Sequence, residues 1–361
     1  MAAEVSEHSY SGQLVHSRLL YRRKRLYSIV GLLLLLVIVV GVASSLGSAS
    51  VPLSTVWRLL LSWLPGVHTD SGISDTLSTI VLDIRLPRII MAGLVGAALA
   101  TAGATYQGLF RNPLADPYLI GVAQGAGLGA VVAFMLPFSV HAAGLSLVPP
   151  LAFGCGLISA GILYALARVG KTLPMTAVIL AGVALGAFLS AITSFLLVNS
   201  DNLHGVLLWL MGSFTMSNWD EVHVLFPYLL AGLVLIYLYS RPLNLMQLDE
   251  EQAQQLGVNV ERVKLILLLT ATLITAAAVS FAGSIGFVGL IIPHAVRLVW
   301  GGDYRFLLPL STLAGAIFLI LADTLARTVI SPAELPVGVV TALCGAPFFL
   351  YLLWQKKREV F

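Results

Sequence analysis

Long apolar stretches broken at short polar intervals set the pattern of this chain. They run near 27–46, 86–109, 118–136, 147–167, 174–198, 221–239, 264–282, 286–300, 305–330 and 336–354. A helix needs about 20 mostly apolar residues to cross the hydrocarbon layer. The eighth run is short, and the second and ninth are long. A membrane strand would alternate apolar with polar residues over about ten positions, and these runs are unbroken. The pattern predicts an all-α polytopic membrane protein with ten transmembrane helices.

Composition agrees with that reading. Of 361 residues, 58% are hydrophobic and 10% charged, and the mean hydropathy is +0.94; soluble domains carry roughly 25% charged residues. The first run follows a 26-residue tail and has no small-residue cleavage site after it, so it reads as a retained helix and not a signal peptide. Cys155 and Cys344 both fall inside apolar runs, which suggests neither a disulfide nor a metal site.

Lys and Arg orient the bundle. Arg18, Arg22, Arg23, Lys24 and Arg25 precede the first run, and Lys356, Lys357 and Arg358 follow the last. An even number of crossings puts both termini on one side, and the positive-inside rule makes that side the cytoplasm. Alternate assignment leaves only Arg58, Arg85, Arg88 and Arg327 outside, of 20 basic residues. The net charge of +3 thus reflects topology and not nucleic-acid binding. The expected organisation is a basic cytoplasmic tail over 1–26, a ten-helix domain over 27–354 with a long inner loop at 241–264, and a cytoplasmic tail over 355–361.

Three segments outside the runs carry local signals. Pro52 to Leu64 suits a helix lying at the outer interface, with Ser54 or Thr55 as cap and Trp57, Leu60, Leu61 and Leu64 on one face. Leu203 to Phe214 reads the same way. The inner loop from Arg241 to Lys264 is longer than a connector requires. Asp249 and Gln252 fit a capping box, and Ala253 and Leu256 give an apolar edge. Gly257 ends that helix and Asn259 caps the next. Two short helices at a sharp turn would make a docking surface.

Polar groups at membrane depth are costly and usually functional. Asp323 and Arg327 stand at i,i+4 spacing for a side-chain pair. Pro293 and His294 fit a kink with a histidine near the freed carbonyls, and no second metal ligand stands at helical spacing. Arg85 and Arg88 flank Pro87, a first-turn proline, at the expected outside entry to the second run. Exposed arginines there run against the positive-inside bias, which favours a partner bearing carboxylates. Gly93, Gly96, Ala100 and Gly103 recur at three- to four-residue spacing, as close helix packing needs. RNPLADP, residues 111–117, ends one run and stiffens the turn into the next with two prolines.

Several of these motifs together resemble one family. RLPR at 85–88, AGLVGAALATAGATYQGLFRNPLADPYLIGVAQGAGLGA at 92–130, the LG of the inner loop at 256–257, GSIGFVGLIIPHAVRL at 283–298, LADTLAR at 321–327 and ELPVGVVTALCGAPFFLYLL at 334–353 resemble the FecCD family. Its members are permease subunits of ABC importers for iron chelates, haem and vitamin B12. The resemblance implies a vitamin B12 permease-like bundle in the cell's inner membrane. It implies a second permease copy, as homodimer or as heterodimer with a paralogue, surrounded by membrane lipid. Two cytoplasmic ATP-binding subunits and an extracytoplasmic substrate-binding protein would complete the assembly. Docking of the binding protein would fall to Arg85, Arg88 and Arg327. Docking of the ATPase would fall to the inner loop: Leu248, Asp249, Glu250, Glu251, Gln252, Ala253, Gln254, Gln255, Leu256, Gly257 and Val258. The cytoplasmic gate would involve Asn112 and Leu114 of the RNPLADP turn, and Met175 and Thr176 just inside the fifth run. Met175 and Thr176 depart from the small hydroxylated pair of the vitamin B12 permease.

The mechanism implied is alternating access without covalent chemistry, so no catalytic, cofactor or metal residue is expected. ATP and Mg would be bound by partner subunits, since the chain has no Gly-x-x-x-x-Gly-Lys-Ser/Thr loop. Ferric siderophore is the first expectation for the cargo, with cobalamin or haem as alternatives. An ion-coupled secondary transporter would need midplane carboxylates, for which Asp323 is the only candidate. A membrane enzyme would need clustered His, Asp or Glu, and the 7 histidines are scattered.

Overall fold

All ten apolar runs are helical in the computed structural model, which describes residues 2–47, 50–62, 73–136, 146–170 and 172–360. The helices are α1 (Ala2–Ser45), α2 (Leu86–Leu109), α3 (Val122–Met135), α4 (Val148–Ala167) and α5 (Met175–Val198), followed by α6 (Trp219–Leu238), α7 (Val260–Ala282), α8 (Val288–Trp300), α9 (Tyr304–Thr328) and α10 (Val337–Val360). Among the described residues, α1, α2, α4, α5, α6, α7 and α9 are long and apolar enough to cross a membrane alone; α3, α8 and the apolar part of α10 are shorter.

Two boundaries differ from the sequence reading. The expected tail over 1–26 has no break from the first run, because α1 continues back to Ala2; no proline interrupts it. The second run begins upstream of 86. Ser74 caps a short helix, Asp75–Thr79, which passes through a π-helical turn, Ile80–Arg85, into α2. Pro87 has no N–H to donate to the preceding turn. Just before it, Leu86 N–H reaches five residues back to the Val81 carbonyl, the bond of a π turn.

Helix α2 is the hub. It packs against α7, α8 and α9, and every residue from Val95 to Leu109 is buried. Lipid offers helices little hydrophobic incentive to associate, so backbones must approach closely. A Cβ on Gly96 would lie 2.2 Å from the Gly315 carbonyl oxygen, and one on Gly103 would lie 1.8 Å from that of Gly289. The small-residue stripe is therefore a packing seam, as its spacing predicted. Hydroxyl pairs cross the same interfaces: Thr101 with Thr312 at 2.7 Å, and Tyr106 with Thr272 at 2.9 Å. A second layer is built by α3 against α4 and α5.

At the end of the bundle expected to face outside, three non-helical segments satisfy one another. Ser213 N–H donates to the Ala282 carbonyl, and the N–H groups of Val337 and Gly338 donate to the carbonyls of Gly212 and Met211. Irregular backbone at membrane depth is tolerated when protein covers it in this way. The 13-residue α8 spans only about 20 Å, and this junction leads the chain from α7 into it.

The two interfacial segments are helical but shorter than expected. Leu53–Leu61 has Pro52 at its N-cap, with no side-chain cap, so Ser54 and Thr55 do not fill that role. Its buried face is Val56 and Leu59, which join Val51 and Val81 in a small satellite cluster. The expected face of Trp57, Leu60 and Leu61 is turned outward or only half covered, because packing against Val81 overrides the aromatic signal; Leu64 lies outside the described residues. Leu203–Leu210 is capped by Asn202 and buries Val206.

Candidate functional site

Charge concentrates at the two ends of the bundle. At the end predicted to face outside, α2 and the π turn deliver Arg85 and Arg88, α9 delivers Asp323 and Arg327, and the following loop delivers Glu334. Arg85, Arg88, Arg327 and Glu334 line a cavity of about 130 Å³ together with Gly47 and Ser331. All three arginines expected there are thus brought together.

Each also has a partner within the chain. Arg88 grips Asp323 through Nε (3.1 Å) and Nη2 (2.8 Å), and Glu334 through Nη1 (3.0 Å). Arg327 lies 3.6 Å from the same Asp323 carboxylate, the i,i+4 pair that the spacing predicted. Arg85 donates to the carbonyls of Ser44 and Ser45 at 2.8 and 3.2 Å, and Arg327 donates to that of Ala43. These carbonyls end α1, where a helix has unsatisfied acceptors and a partial negative charge. The outward arginines that run against the positive-inside bias are accounted for here by a helix terminus and two carboxylates. Exposure falls from 37% for the Glu334 side chain to 11% for Arg88 and 1% for Asp323, so Glu334 forms the rim and Asp323 the floor.

At the opposite end, the RNPLADP turn leaves α2 with Arg111 in a left-handed conformation, φ 47°. Asn112 accepts from Leu114 N–H at 2.9 Å, and Asp116 accepts from Tyr118 N–H at 2.8 Å, capping a 3-10 turn, Pro117–Ile120. Two side-chain turns and two prolines make the connector stiff. Burial pushes the Asp116 carboxyl up to about 6, against the opposing hydrogen bond from Tyr118. Leu114 is exposed at the tip. The 3-10 turn packs against α5, whose first residues are Met175, half-buried, and Thr176, exposed.

The inner loop lies beside this connector. Asp249 sits at the N-cap of Glu250–Gln255 and accepts from Glu250 N–H at 2.7 Å; the expected Gln252 partnership is not part of that cap. Gly257 takes the left-handed conformation, φ 84°, and Asn259 accepts from Arg262 N–H, both as predicted. The helix that Asn259 caps is α7 itself, not a second short helix. Ala253 is buried, while Leu248 and Leu256 stand exposed at 63% and 61%. Leu256 therefore does not share Ala253's packed edge: the preceding helix ends before it.

The sequence reading missed what joins these segments. Arg111 Nη1 lies 3.4 Å from Asp249, and Gln247 Nε2 donates to the Gly108 carbonyl at 3.0 Å. Lys264, buried one turn inside α7, lies 2.6 Å from Glu250 and 3.3 Å from Glu261. Glu261 in turn accepts from Leu173 N–H, just before α5. Only Glu261 to Lys264, three residues apart, left a local trace in the sequence.

His294 packs against the rings of Phe348 and Phe349 on α10. No group of three His, Cys, Asp or Glu side chains suited to a metal is found among the described residues.

A bundle of apolar helices with a charged cluster at each end and a capped, leucine-tipped loop at one of them is that of a multi-pass membrane protein. The sequence profile of the FecCD transport family matches residues 33–355, and the chain belongs to that family. It is 50% identical over 80% of its length to the cobalamin import system permease protein BtuC of Halobacterium salinarum, covering 76% of that protein. It is 39% identical to the hemin transport system permease protein HmuU of Yersinia pestis, over 91% of this chain and 96% of that one. A solved chain described as a metal-chelate type ABC transporter in an inward-facing conformation superposes with a TM-score of 0.77, at 34% identity, over 91% of this chain and 98% of the other. The protein is accordingly an ABC-type transport permease of the inner membrane, not an enzyme.

Proposed function

We propose that this chain is the membrane half of an ATP-driven importer that carries a bulky metal chelate, delivered from outside by a binding protein, through a pore between two permease copies. The reading takes ten crossings with both termini in the cytoplasm, and ATP and Mg held by two partner subunits. The observation that carries it is the loop Leu248 to Val258. It is capped at Asp249, turned at Gly257 and tipped by exposed Leu248 and Leu256, so it offers a preformed apolar contact to a cytoplasmic partner. Preorganisation of this kind lowers the entropic cost of docking.

Asn112, Leu114, Met175 and Thr176 serve as the inner gate in this reading, on a connector stiffened by its own side chains. At the other end Glu334, Arg88 and the cavity they border form the surface offered to the binding protein, with Arg85 and Arg327 behind it. A ferric siderophore is the cargo of choice. Cobalamin is the second reading, favoured by the 50% identity to the archaeal cobalamin permease.

The test is uptake into vesicles holding the permease with its ATPase partners. Uptake of the chelate that copurifies with the partner binding protein is expected to require ATP and all three components. Uptake by the permease alone, driven by an ion gradient, would overturn the reading.

A further inference from the structure

A lysine near a helix end at the membrane surface ordinarily extends its ammonium group into water. Lys264 does not. Its side chain is only 5% exposed, although Glu250 and Glu261 beside it are 41% and 39% exposed. The ammonium is drawn inward between two carboxylates, one on the Leu248–Val258 segment and one on its own helix. The second is committed further: Glu261 receives the Leu173 N–H at 3.2 Å. Pro174 and the first turn of α5, with Met175 and Thr176, follow at once. One unbroken series of charge-assisted contacts therefore runs from Glu250 through Lys264 and Glu261 to the backbone at the start of α5. Contacts to a charged partner are stronger than neutral hydrogen bonds, and at 2.6 Å the Lys264–Glu250 contact is the tightest of the series.

We propose that Lys264 is a positioning residue for transport, the pivot of a charge relay that carries movement of the Leu248–Val258 segment to the N-terminus of α5. The inference rests on the function proposed above for what moves the segment; the relay itself is a property of the permease. Its parts have distinct tasks. Glu250 rides on the short helix that a cytoplasmic partner would push. Lys264 holds that helix to α7. Glu261 passes the displacement to Leu173, whose side chain is also buried. Arg111 and Asp249 form a second, exposed limb to the RNPLADP turn, which surface screening makes the weaker of the two. An apolar residue in place of Lys264 would leave the short helix capped and folded yet no longer tied to the start of α5.

Two measurements test this, one without transport. In a chain whose free cysteines Cys155 and Cys344 are replaced by serine, spin labels are placed at Thr172→Cys and Gln254→Cys, and their distance distribution is recorded in the purified permease. Lys264→Met is expected to widen that distribution, and Lys264→Arg to preserve it. In vesicles holding the assembled transporter, Lys264→Met and Glu261→Gln are expected to lower the chelate carried per ATP hydrolysed by about tenfold, with Lys264→Arg restoring most of it. A purely structural lysine would change yield and melting temperature but leave that ratio alone. Unchanged label distances, or an unchanged ratio in both charge-removing variants, would overturn the relay. If Lys264→Met does not assemble, Glu261→Gln, half exposed and free to fold, is judged by the same two readouts. Failure of the unmodified assembly to use ATP would overturn the proposed function, and the label distances would still decide the relay.

Discussion

The two charged ends of the bundle are built to opposite specifications. At the outer cluster, Asp323 is 1% exposed and serves both Arg88 and Arg327, while Arg85 and Arg327 close the end of α1. Every participant but Glu334 sits in a helix or in the π turn, and most contacts are multiple. At the inner network Glu250 rides on a six-residue helix, Glu261 and Lys264 sit in the first turns of α7, and Arg111 and Asp249 lie in a turn and at a cap; the contacts are mostly single, and each carboxylate is about 40% exposed or more. Buried multidentate pairs are brittle: losing one partner strands the others. Half-exposed pairs can break and remake as water substitutes for the missing partner. The outer end is suited to anchoring helices and the inner end to moving.

The largest effect that would break this contrast is at Asp323. Asp323→Asn keeps the shape but removes the charge that balances two buried guanidinium groups, and turns an amide donor toward one of them. Uncompensated buried charge costs about 3–5 kcal/mol. The variant is expected to lose most of its yield of folded permease and to melt well below the unmodified protein in a detergent thermal-shift assay. A melting temperature within a degree or two of the original would show that the outer cluster is as forgiving as the inner one.

That cluster also shows what the sequence could and could not disclose. The ten apolar runs, the small-residue seam at Gly96 and Gly103, the turn at Gly257 and the cap at Asn259 are local signals, and each reads directly from spacing or residue type. The Asp323–Arg327 pair was legible for the same reason. Arg88 with Asp323 was not: the two are 235 positions apart, and only the packing of α2 against α9 brings them together. The same holds for Arg111 with Asp249 and for Glu261 with Leu173. Local signals also misled where tertiary contacts won, as at Pro52–Leu61, where Val56 and Leu59 took the buried face from Trp57. The resemblance of RLPR and LADTLAR to a known family pointed to three arginines that line one cavity, yet not to their partners within the chain.

A smaller effect, tied to pH, separates stiffness from flexibility within the inner end. Burial raises the Asp116 carboxyl from 3.8 to about 6. An acid whose folded value lies above its unfolded value binds more protons when folded, so its stabilising contribution is complete below about 3.8 and is lost as pH rises through about 6. Asp116→Asn keeps an oxygen to accept the Tyr118 N–H and removes the titration. It is expected to melt level with the unmodified protein near pH 4 and on the order of a few degrees higher near pH 8. A gap that does not change with pH would mean that the connector leaves Asp116 open to water, and that the RNPLADP turn belongs with the yielding parts of this end.

The smallest effect sharpens the comparison most finely, because it asks whether an inner contact can matter to motion while hardly mattering to stability. Arg111 and Asp249 are 36% and 51% exposed and 3.4 Å apart, and exposed pairs of this kind are worth about 0.2–1 kcal/mol. Arg111→Ala should therefore leave the melting temperature nearly unchanged, and raising the salt concentration should remove even that small difference. Arg111 also holds a left-handed backbone, φ 47°, a conformation that costs arginine and alanine alike and glycine little, so Arg111→Ala removes the charge at unchanged strain while Arg111→Gly removes both charge and strain. If both variants melt alike and like the parent, the pair is a contact that forms and parts at little cost, as a moving end requires. If Arg111→Ala falls and Arg111→Gly does not, the ion pair contributes and the strain that glycine relieves offsets its loss. If both fall by several degrees, the inner end is held as firmly as the outer, and the division of labour between the two ends is wrong.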